Sequence, residues 1–300
     1  MQSCEVIIQT RQAVQLAVNT NRLLIESLPP VQGFQLAPDL FISNLPHDTA
    51  QEIMDCCDPR CFGFSKPVRQ TPQLYAFLRV NESGADLWDW KPDERLQQCV
   101  ALSRLAHPTS IPFAYHAKIK LNDEGKLQEL IPFDNSDRYA WIAERDGRDW
   151  LTASDMPKLR ELVSHLPLSL PARVSRAFWY HERAARNYFA DVRWALIATA
   201  LEALVHTDRT HSTAQFTSRT AKIAVALNCT YYDEGVAASF YDMRSQIAHG
   251  QGMQQVDPQT NRLYVFGEDL LRTILSTSIL DSTFAASFLD KPSILARWAK

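Results

Sequence analysis

The sequence predicts two halves of different class: an α+β domain over residues 1–150 and an all-α helical bundle over residues 151–300. Two observations carry that expectation. Short runs rich in β-branched and aromatic residues recur through the first half, then nearly vanish beyond "ERDGRDWLTASDMP". From there on, long segments that read as helices follow one another.

In the first half, "CEVIIQT" and "YAFLRV" read as strands. "AYHAKIKL" alternates polar and apolar residues, "NDEG" offers a turn, and "KLQELIPF" follows, so these residues read as a hairpin. "DTAQEIMDCC" reads as a short helix capped by Asp48 or Thr49. "KPDERLQQCVALSRLA" reads as a longer one, with Pro92 near its start and Leu96, Cys99, Val100, Leu102 and Ala106 on one broad face. In the second half, "SDMPKLRELVSHL" opens with Ser154 or Asp155 as cap and Pro157 in the first turn. "PARVSRAFWYHERAARNYFA" runs on into "DVRWALIATALEALVH". "STAQFTSRTAKIAVAL", "DEGVAASFYDMRSQIAH" and "GEDLLRTILSTSILDSTFAASFL" complete a bundle of five or six helices.

Composition bounds the function. The chain is 46% hydrophobic and 22% charged, which is ordinary for a globular protein, and its formal net charge is −3. No bulk basic signal for nucleic acid exists. Residues 1–150 carry 15 Lys/Arg against 20 Asp/Glu, and residues 151–300 carry 16 against 14, so the second half is slightly basic. The start, "MQSCEVIIQTRQ", lacks the pattern of a signal peptide, and no window reaches the ~18 apolar residues of a spanning helix. The six cysteines are sparse and read as reduced thiols, so a cytoplasmic protein with no membrane contact is expected. Cys56, Cys57 and Cys61 lie close together, with His47, Cys99 and His107 in the same half. Their spacing is not the paired C-x2-C arrangement, so no zinc and no other cofactor is expected. No Gly-rich phosphate loop, G-x-S-x-G or H-E-x-x-H motif is present.

The segment "FYDMRSQIAHG" carries the chemistry. On a helical wheel with Arg244 at zero, Val236, Phe240, Met243 and Ile247 fall between about 260° and 320° and form the expected core face. Tyr241 falls near ~60°, Ser245 near ~100°, His249 near ~140° and Asp242 near ~160°. Ala237, Ala238 and Ala248 share that polar arc, which suits close approach by another helix or a ligand. Gly250 follows as a residue able to end the helix in a left-handed conformation. By spacing alone, an arginine and a histidine here are more readily explained as solvated residues at a helix end.

"YDMRSQIAHG" resembles the R-x4-6-H signature of the HEPN superfamily. "WALIATALEALV" resembles the family helix with an "ALE-x-L" core, and "FTSRTAKIAVAL" resembles its next helix. Their order and spacing are similar to the Apea-like branch, whose members occur in bacterial proteins linked to phage defence. The resemblance covers about residues 170–290 and leaves residues 1–150 unmatched. It implies a metal-independent endoribonuclease or toxin that works as a homodimer, two motifs meeting across one cleft. Arg244 and His249 would be the catalytic pair, supported by Ser245, Tyr241 and Glu202. The N-terminal half would then sense or recruit, through a protein or ligand trigger. The alternative is a non-catalytic HEPN module for dimerisation or nucleotide binding.

Two further constellations stay open. Glu202 could pair with Arg219 or Arg244, or face water. Arg219 and Lys222 could add RNA phosphate contacts. "RAFWYHERAARNYF" places Arg176, Arg183 and Arg186 near Trp179 and Tyr180, a pattern that can hold single-stranded RNA or simply pack its aromatics inward.

Overall fold

The computed structural model of the 300-residue chain describes residues 13–19, 34–44, 75–81, 94–109, 115–121, 127–134, 143, 151–208, 210–250 and 257–299. These residues fall into two compact units: the first joins residues 1–140 with 149–166, and the second joins residues 141–148 with 167–300.

The first unit holds an antiparallel sheet of six strands: β1 (Ala13–Asn19), β2 (Phe34–Ala37), β3 (Leu40–Asn44), β4 (Tyr75–Asn81), β5 (Tyr115–Leu121) and β6 (Leu127–Asp134). Their order is β2-β3-β4-β1-β5-β6, so β1 is central and pairs with both β4 and β5. The expected strand at residues 75–80 and the expected hairpin are present, the hairpin as β5 against β6 in antiparallel register. "CEVIIQT", "DTAQEIMDCC" and Cys56, Cys57 and Cys61 lie outside the described residues.

Helix α1 (Glu94–Ala106) forms where the sequence predicts it. It is buried more completely than one face requires, because every residue from Cys99 to Ala106 is inside, Ser103 and Arg104 included. Burial pushes the Cys99 thiol up to about 12, so it is an inert neutral thiol. Among the described residues no three potential metal ligands cluster.

Helix α2 (Met156–Val163) follows a short 3-10 turn in which the Asp155 carboxylate accepts the Thr152 backbone N–H at 2.7 Å. Composition places this helix with the second half, but it packs on α1 and on β2 in the first unit. Arg160 fixes it there. Its Nε donates to the Gln35 carbonyl at 3.0 Å, and its guanidinium lies 4.3 Å from the centre of the Phe34 ring.

The second unit is helical throughout its described residues: α3 (Ala172–Ala185), α4 (Ala190–Val205), α5 (Ser212–Ala226), α6 (Glu234–Ala248), α7 (Pro258–Leu280), α8 (Ser282–Ala286) and α9 (Lys291–Trp298). This is more segments than the five or six expected, for local reasons. At residues 186–189 a turn held by the Asn187 side chain, which accepts the Phe189 N–H at 3.0 Å, parts α3 from α4. Asp281 parts α7 from α8 by capping the Thr283 and Phe284 N–H groups at 2.8 and 3.0 Å. No helix among the described residues is long and apolar enough to cross a membrane.

The core of this unit is built on Trp194, Phe216 and Phe240. Phe240 stacks on Trp194 with centroids 5.0 Å apart, and on Phe216 at 6.4 Å. The Trp194 indole N–H donates to the Phe240 carbonyl at 3.3 Å, which satisfies its one polar group. Gly267 on α7 lets this layer close: a Cβ there would stand 2.3 Å from the Phe240 ring.

Candidate functional site

Helix α6 carries the motif. Asp233 caps its start by accepting the Val236 N–H at 2.8 Å. At its other end the His249 N–H reaches the Ser245 and Gln246 carbonyls, and Gly250 takes a φ of 79°. That left-handed glycine ends the helix as the sequence predicts.

The orientation of α6 differs from the wheel. Ala237, Phe240 and Tyr241 are its buried residues, while Val236, Met243 and Ile247 are only half-buried. The inward direction therefore lies near Arg244 itself, turned by roughly 80° from the expected core face. Aromatic packing explains the turn. Phe240 and Tyr241 both lie against Phe216, the latter with ring centroids 4.5 Å apart, and Ala237, one turn before them, is buried on the same side. Ala237 is fully buried in its own unit and cannot line an approach for a second helix. Ala238 and Ala248 are exposed.

This rotation brings Arg244 to α4. Its Nη2 donates to Glu202 Oε2 at 3.0 Å, and the Tyr241 hydroxyl donates to Glu202 Oε1 at 2.7 Å. Both carboxylate oxygens are thus engaged from one helix. The guanidinium also lies 5.4 Å from the centre of the Tyr241 ring, within cation–π range. Glu202 is 17% exposed and Arg244 32%, so the pair sits at a rim. Burial raises the Tyr241 phenol above its usual value, and the Glu202 carboxylate adds to that, so Tyr241 serves as a neutral donor. Of the partners the sequence left open for Glu202, the structure selects Arg244.

His249 is not part of this cluster. It is exposed, about 140° round the helix from Arg244, and its ring bonds no described residue. Ser245 is half-buried between them.

Arg219 and Lys222, the residues expected to add RNA contacts, have different surroundings. Arg219 is buried, and its Nη1 donates to the Val205 carbonyl at 3.0 Å and to the His206 carbonyl. It caps the C-terminal end of α4, where helical carbonyls lack partners of their own. Lys222 lines a cleft of about 540 Å³ with Val225, Cys229 and Tyr232, between the end of α5 and the start of α6. That places it toward the opposite end of α6 from Arg244, about 15 Å along the axis.

Comparison of the chain with protein-family models, with curated proteins and with solved structures found no match.

Proposed function

We propose that the second unit is a metal-independent endoribonuclease of the HEPN type, cleaving RNA by attack of its own 2′-hydroxyl. The observation that carries this reading is the Glu202–Arg244–Tyr241 network. A guanidinium held on one edge by a carboxylate keeps its remaining N–H donors free and fixed in direction. Such a group is suited to a phosphorane, whose extra negative charge calls for preorganised donors.

In the proposed step a base takes the 2′-hydroxyl proton, the 2′-oxygen bonds to phosphorus, and the bond to the 5′-oxygen breaks as that oxygen is protonated. The products end in a 2′,3′-cyclic phosphate and a 5′-hydroxyl. Histidine is the side chain best suited to these transfers near neutrality, and His249 is exposed for the task. One copy directs Arg244 and His249 apart, so the site is composite: two copies related by a two-fold axis bring the His249 of one toward the Arg244 of the other. The approach uses the exposed Ala248–His249 end of α6 rather than Ala237.

Incubation of purified protein with total RNA in EDTA tests the reading. Cleavage to cyclic-phosphate ends is expected in the wild type and lost in His249→Ala. Arg244→Ala is expected to fall by about a hundred- to a thousandfold. Glu202→Gln keeps an acceptor for Tyr241 but loses the charge that holds Arg244, and should cost roughly ten- to a hundredfold through misplacement of the guanidinium. Cleavage that survives both His249→Ala and Arg244→Ala refutes the assignment.

A further inference from the structure

Helix α3 and the turn after it carry aromatic side chains on the outside. Trp179 is 48% exposed, Tyr188 66% and Phe189 63%. The apolar face of α3 is already satisfied, with Val174, Ala177, Phe178, Ala184 and Ala185 buried in the unit's own core. The inward packing that "RAFWYHERAARNYF" allows is therefore realised by Phe178 and not by Trp179.

The charges flanking Trp179 on this face are both positive. Arg176, Trp179 and Arg183 lie within about 60° of one another on the helix, with the tryptophan between two arginines about 10 Å apart along the axis. Both arginines are exposed, and among the described residues neither has a carboxylate partner. Neither acid of this region pairs with these two arginines. Glu182 is buried and paired with Arg186 at 3.6 Å, and Asp191 accepts the Val192 N–H at 2.8 Å. Tyr188 and Phe189, in the turn that follows the helix, lie edge-to-face with centroids 5.4 Å apart and are both exposed.

We infer that this arginine–aromatic face is a docking surface for single-stranded RNA, separate from the α6 site. Unpaired bases can stack on Trp179 and on the Tyr188–Phe189 pair while Arg176 and Arg183 neutralise phosphates. Duplex RNA offers no free base face to such rings. A two-fold contact between copies through this face would set arginine against arginine with no acid between them. The choice of RNA as the strand rests on the ribonuclease reading.

The test is fluorescence anisotropy with a labelled 2′-O-methyl oligouridine of about twelve nucleotides, which lacks the attacking hydroxyl, over a series of salt concentrations. Trp179→Ala is expected to weaken binding by roughly five- to a hundredfold. Arg176→Ala with Arg183→Ala should flatten the plot of log affinity against log salt by about 1.4. All three residues are exposed, so the variants should melt with the wild type. Unchanged affinity in Trp179→Ala together with an unchanged salt slope overturns the inference. So does loss, in Trp179→Ala, of binding to phosphatidylserine vesicles or of dimers in sedimentation while oligouridine binding persists. Binding that depends on Trp179 in a protein with no cleavage activity would uphold the docking surface and refute the ribonuclease reading. Cleavage that depends on His249, with binding indifferent to Trp179, would do the reverse.

Discussion

Gly267→Ala is the sharpest test of how α6 is held in place. The added Cβ would stand 2.3, 2.8 and 2.8 Å from three carbons of the Phe240 ring. Ordinary carbon–carbon contact begins near ~3.5 Å, so the ring or the helix must yield by about 1 Å. The ring has little room to do so, because Trp194 stacks on it at 5.0 Å and Phe216 lies at 6.4 Å. Overpacking of this kind costs about 1–3 kcal/mol, and a clash this deep belongs at or above the upper end. Replacing glycine by alanine inside a helix returns about 1 kcal/mol. The net expectation is a loss of about 2 kcal/mol, which lowers the melting temperature of a unit this size by roughly 5–10 °C. Calorimetry of the full chain measures it. Phe240→Leu in the same background supplies the decisive control, since the narrower side chain should relieve most of the alanine's cost and give a clear coupling energy. A Gly267→Ala protein that melts at or above the wild-type temperature, or costs that simply add in the double variant, would refute the argument.

Two other outcomes follow from residues already placed. Ala237→Asp should fail to fold or aggregate, because it sets an unpaired charge at a fully buried position, whereas Ala248→Glu at the exposed end should stay soluble; yields and melts of the two compare them. Burial, reinforced by Lys291 and Arg173, holds His206 below its usual value. The unfolded chain therefore takes up this proton first, and the stability tied to neutral His206 is complete above about pH 6.5 and is lost as the pH falls through the native value. Melts at about pH 7.5 and about pH 5.5 should show a smaller acid loss in His206→Gln than in the wild type.

What the sequence made legible follows the range of the interactions. The β5–β6 hairpin and the helices α1, α5 and α6 were readable because turn residues, caps and periodicity are local signals. Strands β1, β2 and β3 were not, because "FQLA" and "LFISN" are too short to show a period, and β1 gains its place only by pairing with β4 and β5 far along the chain. The site divides in the same way. Arg244 and His249 stood out as a pair of residue types. The true inward face of α6 did not, because a wheel scores Met243 and Ile247 as core and cannot see that Phe216 claims Tyr241. Arg219 read as a surface cation because the carbonyls it caps belong to the preceding helix.

The hold of Arg160 on β2 bears on where this chain can be cut. β2 is an outer strand of the sheet, and its Gln35 carbonyl is occupied by a guanidinium from α2 instead of by another strand. A fragment ending at residue 150, where the composition changes, would lose that helix and leave the carbonyl bare. Its edge would then be open to strands of neighbouring molecules, the usual route to insoluble sheet assemblies. A fragment carried through Leu166 keeps the guard in place. The residues that read as the opening of the second half thus act as the closure of the first.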